Sequence, residues 1–155
     1  TCALPISELA DVVVPGPVPR APRQALRILV VEDDPVQRRL MEALISRYLP
    51  TCSLRSAADG FEGLMQIGEH APEVLVTDLS MPGLDGFRML GSLYRSHMTR
   101  SMQIIVVTAL SDEEIREHGG LPEGVAVMKK PVNSAELTHL LQAFMSVWAA
   151  RRSAP

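Results

Sequence analysis

The strongest constraint on this chain is a series of short, unbroken apolar runs separated by helical patterns. RILVVE (27–32), EVLVTD (73–78) and QIIVVTA (103–109) are rich in β-branched residues and do not alternate with polar ones. A strand exposed on one face would alternate, so these runs predict strands buried on both faces. TCSLRSA (51–57) and VAVMKK (125–130) are weaker candidates for two more strands.

The intervening segments have helical signals. Asp34 stands before Pro35 as an N-cap followed by proline at the first helical position, with Gln37 spaced to complete a capping box. Val36, Leu40, Leu44 and Tyr48 then recur at helical spacing and predict the apolar stripe of the first helix. Asp59 to Glu69 reads as a second helix with Phe61, Leu64 and Met65 inward, and Phe87, Leu90, Leu93 and Tyr94 mark a third. Ser111 with Glu114 opens a short fourth helix before Gly119-Gly120. Asn133 with Glu136 caps a fifth, whose stripe is Leu137, Leu140, Leu141, Phe144 and Trp148 and which is expected to end near Ala150. Five rounds of strand and helix imply an α/β domain, a doubly wound parallel sheet with helices on both faces.

In such sheets function lies at the carboxyl ends of the strands. There the sequence turns polar: Glu32-Asp33-Asp34 after the first strand, Asp78 after the third, Thr108 after the fourth, and Lys129-Lys130-Pro131 after the fifth. Neighbouring strands would gather these into one acidic cleft with a hydroxyl and an ammonium on its rim. Carboxylates so placed repel one another, and a hard divalent cation relieves that repulsion. A carboxylate facing a cation, a lysine and a hydroxyl suits phosphoryl transfer, because those groups neutralise charge on the transferring oxygens. Asp34 itself fits a helix cap better than a ligand. Either Lys129 or Lys130 could point inward, since a shift of one residue exchanges them.

Composition excludes several classes. A net charge of −3 with scattered arginines argues against a nucleic-acid surface, and no run is long and apolar enough to cross a membrane. Cys2 and Cys52 make neither a disulfide framework nor a metal cluster, and a reduced, cytoplasmic setting is expected. His70, His97, His118 and His139 lack ligand spacing. Residues 1–25 hold Pro5, Pro15, Pro17, Pro19 and Pro22 and read as a proline-rich linker or tail. Residues 26–150 form the predicted domain, and 151–155 a short tail in which no output unit is expected.

ILVVEDD, VTDLSMPGLDGF, VVTA and MKKPV, in that order, resemble the signature segments of bacterial response-regulator receiver domains. The resemblance covers about residues 26 to 150. It implies a flavodoxin-like sheet of order 2-1-3-4-5 in a two-component or phosphorelay signalling protein. That protein would accept phosphate from a sensor histidine kinase or histidine phosphotransfer protein, and as an enzyme would catalyse only its own phosphorylation and dephosphorylation. By the resemblance Asp78 is the phosphoacceptor. Asp33, Asp78 and the Ser80 carbonyl would hold Mg²⁺, with Mn²⁺ as a substitute, and Glu32 would reach the metal through water. Thr108 would bond a phosphoryl oxygen and Lys130 would pair with it. Pro82, Gly83 and Gly86 match the loop after the phosphorylation site.

The chain departs from the family where many members carry an aromatic residue, three positions before the lysine. Here that position is Val127. A valine has no ring to swing, so the signal is expected to leave through the segment Ser111–Gly120 or to be weak. By the resemblance the two positions that tune phosphate lifetime are Ser80 and Leu110, neither of which offers a carboxylate or amide to orient water, and slow self-dephosphorylation is expected.

The proline-rich start suits the receiver of a hybrid kinase, and a stand-alone regulator is equally compatible. The downstream partner is not named by the sequence, and by resemblance a target or homodimer contact is expected near the fourth helix and fifth strand. The competing reading is a degenerate receiver that docks proteins without phosphorylation. A haloacid-dehalogenase-type phosphatase would need an acid two residues after Asp78, where Ser80 stands. A flavodoxin-like binding module would need a glycine-rich phosphate loop where Asp34-Pro35 stands.

Overall fold

The computed structural model describes residues 25–154, so most of the proline-rich segment lies outside the described residues. The elements alternate as expected: β1 (Arg27–Val31), α1 (Pro35–Tyr48), β2 (Ser53–Ala57), α2 (Gly60–His70), β3 (Val74–Thr77), α3 (Gly86–Arg95), β4 (Gln103–Thr108), α4 (Asp112–Glu117), β5 (Ala126–Lys129) and α5 (Ser134–Ser153). The five strands are parallel in the order β2-β1-β3-β4-β5. No described helix is long and apolar enough to cross a membrane.

Two cores follow from the period of two along each strand. Ile28, Val30, Val74, Val76, Ile105 and Val107 face α1 and α5, where they meet Met41, Ile45, Leu137 and Leu141. Leu29, Val31, Leu75, Ile104 and Val106 face the other way, toward Met89, Leu90 and Leu93 of α3 and Ile115 of α4. A fully buried aliphatic side chain of this size stabilises by roughly 1.5–3 kcal/mol. The central strands are held from both sides, which is why their sequences are apolar without a break.

Two helices are rotated from the orientation their periodicity suggests. In α1, Val36 is 73% exposed, Leu40 50% and Tyr48 41%, while Met41 and Ile45 are buried. Only Leu44 of the expected stripe packs against the core. Helix α1 has apolar residues around much of its circumference, and the sheet selected the Met41–Ile45 face. In α2, Phe61 and Met65 are 62% and 63% exposed, and the buried positions are Gly60, Gly63 and Ile67. A Cβ at Gly63 would stand 3.0 Å from Val31 Cγ2 and 3.2 Å from Met89 Sδ, so a larger residue there requires its neighbours to give way.

The caps also differ in detail. Asp34 accepts from the Val36 and Gln37 amides as an N-cap. Its own amide donates to Glu32 Oε1 at 3.1 Å, the bond a capping box would take from Gln37. The Ser111–Glu114 box is present in both directions, and Asn133 caps α5. Helix α5 continues through Ser153, beyond the expected stop at Ala150, with the Arg152 guanidinium 4.8 Å over the Trp148 ring.

Candidate phosphoacceptor site

The sheet order places the polar strand ends side by side. Strands β1 and β3 are neighbours with Val31 opposite Thr77, so Glu32 and Asp78 leave the sheet together. The Asp78 amide extends the ladder by donating to the Val31 carbonyl at 3.1 Å. On the far side Thr108 is opposite Lys129, and the Lys130 amide donates to the Thr108 carbonyl at 2.9 Å.

Asp78 is buried at 6% exposure and surrounded by donors. Its Oδ1 accepts from the Leu79 amide at 2.6 Å and the Ser80 amide at 3.2 Å. Its Oδ2 accepts from Lys130 Nζ at 2.8 Å. The same ammonium reaches Glu32 Oε2 at 2.9 Å, so one lysine bridges two buried carboxylates. Of the adjacent lysines, the site therefore takes Lys130. Lys129 points outward, to Asp112 at 2.8 Å and to the Leu110 carbonyl.

Charge in this confined space shifts both partners. Burial pushes the Glu32 carboxyl up; the nearby Asp78 charge adds to this, and the bonds from Lys130 and the Asp34 amide oppose it. Burial alone would lower Lys130, but its bonds to Asp78 and Glu32 outweigh that and raise it. The cluster needs positive charge, and the ammonium supplies part of it.

Glu32, Asp33 and Asp78 can each present a carboxylate oxygen, the three lying within 4.8 Å of one another. Such a set of hard oxygens fits Mg²⁺ by ligand type, and Asp33 is the least buried of the three. Glu32 is tied directly to Lys130 and to the Asp34 amide. Arg38 of α1 braces the same turn, donating to the Glu32 carbonyl at 2.7 Å.

An open cleft of about 480 Å³ beside the Asp78 loop is lined by Ser80, Leu110, Phe87 and His118 among others. Ser80 and Leu110, the positions expected to tune phosphate lifetime, thus face one space. The Thr108 side chain is fully buried, and its Oγ1 accepts from the Leu110 amide at 3.1 Å. Val127 pairs with Val106 and is 39% exposed, away from the site.

The structure adds one contributor, Arg38, and gives structural reasons for Lys129 and Gly86. Arg38 lies six residues from the carbonyl it binds, with no local motif to announce it. Lys129 was weighed only as an alternative to Lys130. Gly86 was matched to a loop pattern without its reason, which is steric: a Cβ there would stand 2.2 Å from the Asp78 carbonyl oxygen.

A parallel sheet of this order with carboxylates and a lysine at its carboxyl edge defines a receiver-type signalling domain. Residues 28–142 match the response regulator receiver domain model, and the chain belongs to that family. It is 32% identical over 126 residues to hybrid signal transduction histidine kinase D of Dictyostelium discoideum, covering 81% of this chain and 8% of that protein. It is 25% identical over 118 residues to protein PilG of Pseudomonas aeruginosa, covering 76% of this chain and 86% of PilG. Among solved structures, the N-terminal domain of an uncharacterized protein from Wolinella succinogenes superposes with a TM-score of 0.69 at 33% identity, covering 82% of this chain and 99% of that one.

Proposed function

We propose that Asp78 accepts a phosphoryl group from a phosphohistidine on a sensor kinase or phosphotransfer protein, in a Mg²⁺-dependent reaction. The observation that carries this reading is the convergence of Lys130 and two backbone amides on the buried Asp78 carboxylate. An Asp78 oxygen attacks phosphorus, the P–O bond forms as the P–N bond breaks, and the departing imidazole takes a proton from solvent. Lys130 follows the transferred oxygens, and the Thr108 hydroxyl donates to one of them. Asp33, Asp78 and the Ser80 carbonyl, with Glu32 beside them, would hold Mg²⁺, which supplies charge neutralisation when bound.

The phosphodonor has a surface to meet. Gln37, Leu40, Met41, Ala109, Pro131 and Val132 line an open apolar groove of about 430 Å³ that runs up to Lys130. The exposed side chains Val36 and Leu40 extend it along α1. A phosphorylation-independent docking role leaves the buried carboxylates and their lysine without a purpose, so the phosphoacceptor reading is preferred. Leu110 and Ser80 offer no carboxylate or amide to orient an attacking water, and the acyl phosphate is correspondingly long-lived.

Intact-protein mass spectrometry after incubation with Mg²⁺ and acetyl phosphate tests this directly. One phosphoryl adduct in the native chain and none in Asp78→Asn is the expected result. An adduct that persists in the variant, or none in either protein, refutes it.

A further inference from the structure

We propose that Lys129 is a positioning residue that couples the phosphoacceptor site to α4 and keeps Leu110 over the cleft. The inference rests on the reading of Asp78 as phosphoacceptor and deepens it.

Five contacts form a continuous chain. Lys130 holds Asp78 through its ammonium, and its amide holds the Thr108 carbonyl. Lys129, the preceding residue, lies opposite Thr108 in the ladder. Its ammonium donates to the Leu110 carbonyl at 2.5 Å and pairs with Asp112 Oδ1 at 2.8 Å. Leu110 is thereby held at both ends of its backbone, its amide bonding Thr108 Oγ1 at 3.1 Å. Asp112 is the first residue of α4, so the outer lysine grips both the loop and the helix that follows it.

A phosphoryl group on Asp78 must draw Lys130 away from its present bond to Oδ2. The Thr108 oxygen already accepts from Leu110, so its hydroxyl proton is available to the phosphoryl group. Either movement shifts the strand ends at Thr108 and Lys130, and Lys129 lies between them in the ladder. Val127 carries no ring that could register the change and is partly exposed on the edge strand. Lys129 is the side chain that links this strand end to α4.

The device is light enough to switch. Both members of the Lys129–Asp112 pair are largely exposed, 44% and 80% by side chain, so the contact biases the loop without locking it. Lys129 nevertheless holds the Asp112 carboxyl below its ordinary range, first through the hydrogen bond and then through charge. Helix α4 is only six residues long and anchors through Ile115 and the stack of His118 on Phe87, with ring centroids 4.7 Å apart.

The test compares the full chain with Lys129→Met and Lys129→Arg, reading amide shifts of residues 108–117 on adding Mg²⁺ and beryllofluoride, and the half-life of the acetyl-phosphate adduct. In Lys129→Met the Asp78 adduct should still form, the α4 amides should respond by less than half the native shift, and the half-life should shorten about threefold, the scale of an exposed pair. Lys129→Arg should restore both. A native α4 response and half-life in Lys129→Met overturns the coupling alone. Absence of an adduct in the native chain overturns the phosphoacceptor reading and the coupling with it.

Discussion

Gly86 at the start of α3 is packed against the carbonyl of Asp78 so closely that a single methyl group would stand 2.2 Å from its oxygen. The Gly86 amide also donates to the Leu79 carbonyl at 3.0 Å, which draws α3 onto the loop leaving β3. Replacing Gly86 by Ala must move either the helix or the loop carrying Asp78. The expected cost is about 3 kcal/mol, at the upper end for overpacking a tight site. Denaturant titration measures it, and a cost below about 1 kcal/mol would show that the loop yields freely.

Lys130→Met removes the ammonium shared by Asp78 and Glu32 and leaves two buried carboxylates facing each other. Breaking a buried pair from one side costs about 3 kcal/mol. A divalent cation in the carboxylate trio should restore much of this, so added Mg²⁺ should raise the melting temperature of the variant more than that of the native chain. Thermal melts with and without Mg²⁺ check this; equal increments would argue against the trio as a cation site.

The rotation of α1 is open to a direct comparison. Ile45 is fully buried and Leu40 half exposed. Ile45→Ala should cost roughly 2–5 kcal/mol through the cavity it leaves, and Leu40→Gln less than about 0.5 kcal/mol. Leu40→Gln should nonetheless slow phosphoryl transfer from a protein donor, because Leu40 lines the groove beside Lys130. Transfer from acetyl phosphate should be unaffected in the same variant.

Asp34 supplies a pH-dependent contribution. The backbone amides of Gln37 and Val36 hold its carboxyl below the ordinary aspartate value. A depressed value in the folded state means stability present above the unfolded value of about 3.9 and lost as pH falls through the folded one. Asp34→Asn keeps a capping oxygen without the charge. The native chain should therefore be more stable than the variant near neutral pH, with the difference vanishing in acid. A gap independent of pH would mean that charge at this cap contributes nothing.

What the sequence by itself determined is local. The unbroken runs ILVV and IIVV can satisfy their apolar content only between two helical layers, so the sheet and its class were legible. Asp34, Ser111 and Asn133 marked helix starts because a side-chain oxygen reaches backbone amides two or three residues away, a distance set along the chain. The motif order placed Glu32, Asp33, Asp78, Thr108 and Lys130 at strand ends, and the sheet brought those ends together.

The tertiary structure decided whatever depended on a partner far along the chain. Val36–Leu40–Tyr48 and Met41–Ile45 are both apolar, and periodicity cannot rank two stripes on one helix; the groove between β1 and α5 did. Phe61 and Met65 read as core residues, yet α2 turns Gly60, Gly63 and Ile67 to the core, with Gly63 in tight contact with Val31. Lys130 rather than Lys129 entered the site because the pairing of β4 with β5 set which ammonium faces Asp78. Local propensity acts over a few residues, and packing registers neighbours that only the folded chain supplies.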